Sequence, residues 1–329
     1  MRNACFERSA QNVQNTQTLP SLRERNTRAV RLGYIDTMMR NNHPNAGSAT
    51  KPALPFSISA AMKARHIALP AEHGAWVFLF SPLIIGLVTG GFRPASLLLV
   101  LAALAGFLIR QPVTMAVKVV AGRRPRRELP GIAFWLAIYG LIGLAAVVAL
   151  AALGFGYLIW LALPAVPVFA WHLWLVGRRA ERRQMLVEIV ASGVLALAAP
   201  AAYWVGRGQA DATGWMLWAL TWAQVAGTIL YAYLRLDQRA LDHLPEWNET
   251  LRLARPALVY NLTLLLVVAA LAAGKIVPVL LPLAYLIQPL EVAWGMARPA
   301  VNMKPKVIGI RQLIVSIVFT IVFVLTWSI

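Results

Sequence analysis

The feature that most constrains this chain is where its basic residues fall between long apolar runs. Nine such runs can be drawn, near residues 75–90, 95–117, 131–152, 155–176, 184–205, 214–235, 256–273, 275–294 and 310–328. Most are long enough to cross a bilayer as a helix. Of the 31 Lys and Arg, all but Arg93, Arg207 and Lys275 lie in alternate connecting segments or the span ends that flank them, on the side of the N-terminal tail. Cytoplasmic loops accumulate Lys and Arg, so the pattern predicts nine spans, a cytoplasmic N-terminus and a C-terminus outside. Adding or losing one central span would scramble the bias, so span count and orientation support each other.

Composition agrees. The chain is 59% hydrophobic and 13% charged. In lipid every backbone polar group must be paired within the segment, which makes these runs helices and the fold class all-α, a polytopic helix bundle. Trp204, Trp215, Trp218 and Trp327 fall near the predicted outer ends, and Trp76, Trp135, Trp171 and Trp174 near the inner ends. Indoles favour both interfaces. A net charge of +18 in a soluble chain would point to nucleic acid. Here the charge sits in loops, where it sets topology and meets anionic headgroups, so the expected partners are membrane lipids and not nucleic acid. The single cysteine, Cys5, excludes an intrachain disulfide.

Residues 1–61 are polar, rich in Asn, Arg, Ser and Thr, and lack the apolar core of a secretory signal. They are expected to be a disordered cytoplasmic tail or sequence upstream of a true start at Met62. Residues 62–329 then form the nine-helix transmembrane domain.

Chemistry-bearing residues gather at the predicted inner ends. Glu72-His73-Gly74-Ala75-Trp76 stands at the mouth of the first span. A Glu-His pair can do acid/base work, and Glu72 can equally favour the helix N-terminus by charge. Arg110, Thr114 and Lys118 share one helical face at the end of the second span, with Gln111 and Pro112 beside them. Arg110 follows a long apolar stretch, so it faces a wet cavity or snorkels to the interface. Arg123 opens a run of arginines that either sets topology or clamps phosphate. Arg235, Asp237, Arg239 and Asp242 close the sixth span; Glu291 lies in the eighth, and Lys304 and Lys306 precede the ninth. Gln224 and Asn261 read as interhelical glue, and His172 as structural. These ionisable groups either converge on one cationic cavity mouth, suited to an anionic or isoprenoid lipid, or stand apart as interface anchors. No His/Cys/Asp/Glu set has metal-ligand spacing, and no P-loop or Gly-x-Ser-x-Gly is present.

Glu72-His73-Gly74-Ala75-Trp76, Arg110-Gln111-Pro112, Tyr233-Leu234-Arg235 and Lys304-Pro305-Lys306-Val307-Ile308-Gly309 resemble the YwiC-like family of bacterial membrane proteins, from about residue 66 to the C-terminus. The resemblance implies a multi-pass protein of the bacterial plasma membrane and no particular reaction. More remotely, nine spans with motifs after the second and sixth are similar to the UbiA superfamily of intramembrane prenyltransferases. That similarity implies a UbiA-like arrangement. The superfamily's Asp-rich motifs hold Mg²⁺ for a prenyl diphosphate. Residues 110–127 contain no carboxylate, and only Asp237 and Asp242 stand near the second motif, so no cofactor is expected and Mg²⁺ is doubtful.

Three functions follow. The first is a binder of an anionic or isoprenoid lipid at a basic cytoplasmic-side cavity. The second is a UbiA-like transferase of a prenyl or lipid group. It would use Glu72 or His73 as base and Arg110, Lys118 and Arg235 on phosphate. Gln111, Thr114, Arg123, Asp237, Arg239, Glu291, Lys304 and Lys306 would complete the binding set. The third is a transporter with helices broken at Pro82, Pro112, Pro278, Pro282 and Pro289.

Overall fold

The structure, a computed structural model, describes residues 65–69, 73–179 and 184–328. The tail 1–61, the residue Glu72 and the side chain of His73 lie outside the described residues.

Among the described residues, nine longer helical rods follow a one-turn helix at Arg65–Ala68. They are α1 (His73–Gly90), α2 (Pro94–Val120), α3 (Leu129–Leu150) and α4 (Ala165–Gly177). Next come α5 (Met185–Arg207), α6 (Ala212–Arg239) and α7 (Trp247–Ala273). Last are α8 (Pro282–Ala297) and α9 (Pro305–Ser328). There is no strand among the described residues.

Helix ends follow local chemistry. Pro94 and Pro282 begin α2 and α8, where the missing N–H costs nothing. The Asp211 carboxylate accepts from the Gly214 N–H at 3.1 Å and caps α6. Gly208 closes α5 in the left-handed region at φ 83°.

Small residues let the backbones approach. A Cβ on Gly86 or Gly90 of α1 would overlap the α5 backbone at Ala199 or Tyr203, and one on Gly206 would overlap Gly91. In lipid, where tails are as apolar as leucine, such close packing holds helices together. Around this seam a core forms from Leu83, Ile85, Val205, Leu217, Tyr285 and Phe323. Asn261 on α7 donates to Gly227 O on α6 at 3.4 Å, so it does join two helices.

The outer faces are apolar. Leu141 (70% exposed), Leu266 (69%) and Leu325 (59%) point away from the bundle in mid-helix. Among the described residues, five stretches are long and apolar enough to cross a membrane: Pro94–Val120, Arg126–Ala162, Met185–Arg207, Trp247–Ala273 and Pro305–Ser328. Trp76–Gly90 and Ala165–Gly177 are shorter apolar helices.

The prolines do not break the helices as expected. Pro82, Pro112 and Pro289 lie inside α1, α2 and α8, while Pro278 is in a turn and Pro282 starts a helix. A proline removes one backbone donor, which a packed membrane helix tolerates. The irregular stretch is instead Ala151–Phe155 after α3, where Gly154 takes φ 92°. Only glycine adopts that conformation without strain.

Candidate functional site

Arg110 lies on α2, eight residues before Lys118, so it sits about 12 Å deeper along the helix axis. It is half-buried and its guanidinium lies 5.2 Å from the Phe107 ring centre. Phe107 in turn packs on Trp76 of α1, with ring centres 5.0 Å apart. His73, the first residue of α1, is therefore one helical turn from the ring that supports the Arg110 site.

Arg110 lines a cavity of about 240 Å³ between α2, α4 and α5. His172 of α4 lines it too, its ring stacked on Phe169. The remaining lining residues are apolar. A second cavity of about 430 Å³ adjoins it and is lined only by apolar side chains and glycine. Gly106, Phe107, Ala165, Val194 and Leu195 line both. A Cβ on Gly106 would meet nothing within 4 Å, so space is open where the two join. Together they form an apolar chamber with cationic capacity at one end.

Arg235 and Glu291 do not line that chamber. Arg235 is 1% exposed, at the interface of α6 and α8. Its Nη1 donates to Gly295 O at 2.9 Å, to Arg298 O at 2.8 Å and to Gln238 Oε1 at 2.9 Å. A cation here meets the carbonyl end of α8, where the helix dipole favours it. Gln238 Nε2 reaches Gly295 O as well, at 3.2 Å. Glu291 is paired with Arg311 of α9: Nη2 donates to Oε2 at 2.8 Å and Nε donates to Oε1. Tyr231 Oη also donates to Oε1, at 3.1 Å. Arg311 lies over Trp294, 3.2 Å from the ring centre. The network ties α6, α8 and α9 together. Sequence reasoning had named Arg235 and Glu291 but not Arg311, Tyr231 or Trp294. The signal for Arg311 was an intramembrane carboxylate that needs a cation.

The other named residues scatter. Thr114 is buried and Gln111 and Lys118 half-buried on α2. Arg123 Nη1 donates to Val176 O at 2.6 Å, joining the α2–α3 loop to α4. Arg239 Nε donates to Met303 O at 2.8 Å. Asp237, Lys304 and Lys306 are exposed. At the opposite ends of the helices, Arg93 Nη2 donates to Arg207 O at 3.3 Å, so two of the three exceptions to the charge bias lie together. Among the described residues, no three His, Cys, Asp or Glu side chains gather as a metal site would require.

Apolar outward faces, spanning helices and a buried ion-paired network define an integral membrane protein of the all-helical, multi-pass class. Residues 69–203 match the family model of the YwiC-like proteins. That segment, which includes Arg110 and the Glu72–Trp76 string, is similar to the YwiC-like proteins. The chain is also 24% identical over 190 residues to the protein titled Uncharacterized protein YwiC of Bacillus subtilis (strain 168), covering 58% of this chain and 76% of that one. No solved structure matches. The family match ends before Tyr233 and Lys304, two of the strings that had suggested it.

Proposed function

We propose that the protein binds an anionic amphipathic lipid, an isoprenoid phosphate or a phospholipid, with its head at Arg110 and its chain in the adjoining apolar cavity. The observation that carries this reading is the pair of joined cavities, one with Arg110 and His172 and one wholly apolar. Ligand pockets in general combine a large apolar surface with a few placed polar groups. Arginine is suited to phosphate because its planar fork gives bidentate contacts. Arg235, Glu291 and Arg311 act as structure in this reading. We place the mouth on the cytoplasmic side of a bacterial plasma membrane, following the charge bias between loops.

The test is a binding titration of fluorescent isoprenyl phosphates of increasing length in detergent or nanodiscs. Affinity should rise with chain length in the wild type and fall about tenfold or more in Arg110→Gln. Equal affinity for all lengths, unchanged in Arg110→Gln, would refute the reading.

A transferase acting on the same lipid is the second reading. Its support is sequence proximity: α1 begins at His73, one turn before Trp76, whose ring packs on Phe107. Transfer from an isoprenyl diphosphate that disappears in His73→Ala, with binding retained, would establish it.

A further inference from the structure

A different cavity lies among α1, α5, α6 and α9, and its lining brings together strings that the Arg110 chamber leaves unused. Val77 and Phe78 follow the Glu72–Trp76 string, and Pro305, Ile308 and Gly309 belong to the Lys304–Gly309 string. Tyr233 reaches the rim through Glu188, to which its hydroxyl donates at 3.0 Å. The cavity holds about 230 Å³.

Its polar content differs from that of the Arg110 chamber. No Lys, Arg or His lines it. Gln312 does, 9% exposed, with both Oε1 and Nε2 buried and without a hydrogen-bond partner. Ser316 stands one turn further along α9 and also lines the space. A buried amide with neither donor nor acceptor satisfied is costly, because it has given up water and gained no partner. Native proteins meet that cost with water or a ligand.

We infer that this cavity is a second ligand site, for a neutral amphiphile bearing a hydroxyl group, which accepts from Gln312 Nε2 and donates to Gln312 Oε1. A hydroxyl matches both unmet groups at once. Apart from Glu188 and Thr228 the rest of the lining is apolar, and Phe78, Ile229 and Leu313 suit a hydrocarbon or aromatic body. A phosphate is disfavoured because no lining cation offsets its charge. The inference does not depend on the Arg110 reading.

The test uses two photoreactive probes of equal length, a diazirine-bearing octanol and the matching diazirine hydrocarbon, on the full chain in nanodiscs. Adducts are mapped by peptide mass spectrometry. Expected is saturable labelling of residues 305–316 or 77–78 by the alcohol only, reduced about tenfold in Gln312→Leu. Gly309→Phe, which projects from a position where a Cβ meets nothing within 4 Å, should also reduce it. Gln312→Leu removes an amide that bonds to nothing else in the protein, so it should melt no lower than wild type. Arg110→Gln should leave the labelling unchanged. Equal labelling by both probes, or labelling indifferent to Gln312, would mean that the amide is met by water alone and would overturn the inference. Preferential labelling by an octyl phosphate probe would overturn the neutral assignment.

Discussion

Arg311 holds Glu291 through both carboxylate oxygens, a fork-on-fork pair between α9 and α8 with Nη2–Oε2 at 2.8 Å. Glu291 is 7% exposed. Removing the cation leaves a carboxylate buried among helices without its main partner, whereas removing both charges does not. Arg311→Leu should therefore destabilise the protein by about 3 kcal/mol, and Glu291→Gln combined with Arg311→Leu should recover much of that loss. Thermal unfolding in detergent of the two single variants and the double variant checks this.

Arg235 Nη1 makes two hydrogen bonds to carbonyls at the end of α8 and one to Gln238 of α6. Lysine lacks the planar guanidinium that lies against Tyr231 and Trp294. Arg235→Lys should lower stability by about 2 kcal/mol while leaving isoprenyl phosphate affinity within error of wild type. A variant that folds normally but no longer binds the phosphate would move Arg235 into the ligand site.

The α1–α5 seam depends on glycine at Gly86 and Gly90. Alanine at either site would drive its Cβ into backbone, not into a movable side chain. Gly86→Ala and Gly90→Ala should each destabilise by about 1–3 kcal/mol, whereas Gly106→Ala, which projects into open space, should be nearly neutral. Comparison of their unfolding temperatures is the measurement.

Topology is tested by cysteine accessibility. With Cys5 replaced by serine, Arg126→Cys should react with an impermeant maleimide only in inverted vesicles or permeabilised cells. Gln209→Cys should react in intact cells. Both reacting from the same side would contradict the orientation drawn from the charge bias.

Much of the helical layout was legible in the sequence because lipid demands long, internally paired apolar segments. The expected span at 95–117 is α2 at Pro94–Val120, and that at 214–235 is α6 at Ala212–Arg239. Three starts moved for physical reasons. The span expected from 155 gives a four-residue helix at Ile159–Ala162 and then α4 from Ala165, after the irregular stretch at Ala151–Phe155. Hydropathy placed one start at 256, yet α7 begins at Trp247, because the polar turns around Glu249, Arg252 and Arg255 stay helical and Pro256 sits inside the helix. The span expected from 275 starts at Pro282, since Lys275–Leu281 forms turns around Pro278.

The site was less legible. Arg110 could be singled out from the sequence as a cation at the end of an apolar run. What surrounds it could not, because a cavity is a property of helix crossing and not of local pattern. His172 had no neighbour in sequence that pointed to Arg110, and it is α4 that brings it there. Arg235 and Glu291 had the same sequence credentials as Arg110. Their different standing rests on partners 60 and 20 residues away. Gln312 carried no signal at all, since an amide in a spanning helix ordinarily finds a neighbour, and here it meets a cavity.

The central claim, a lipid held by its head at Arg110, is tested most directly by the lipids that stay with the purified protein. Native mass spectrometry of the wild type should show a bound anionic lipid at near-stoichiometric occupancy, lost in Arg110→Gln and in Gly106→Phe but kept in Arg235→Lys. A spectrum with no retained lipid, or with the same lipids in wild type and Arg110→Gln, would contradict the account.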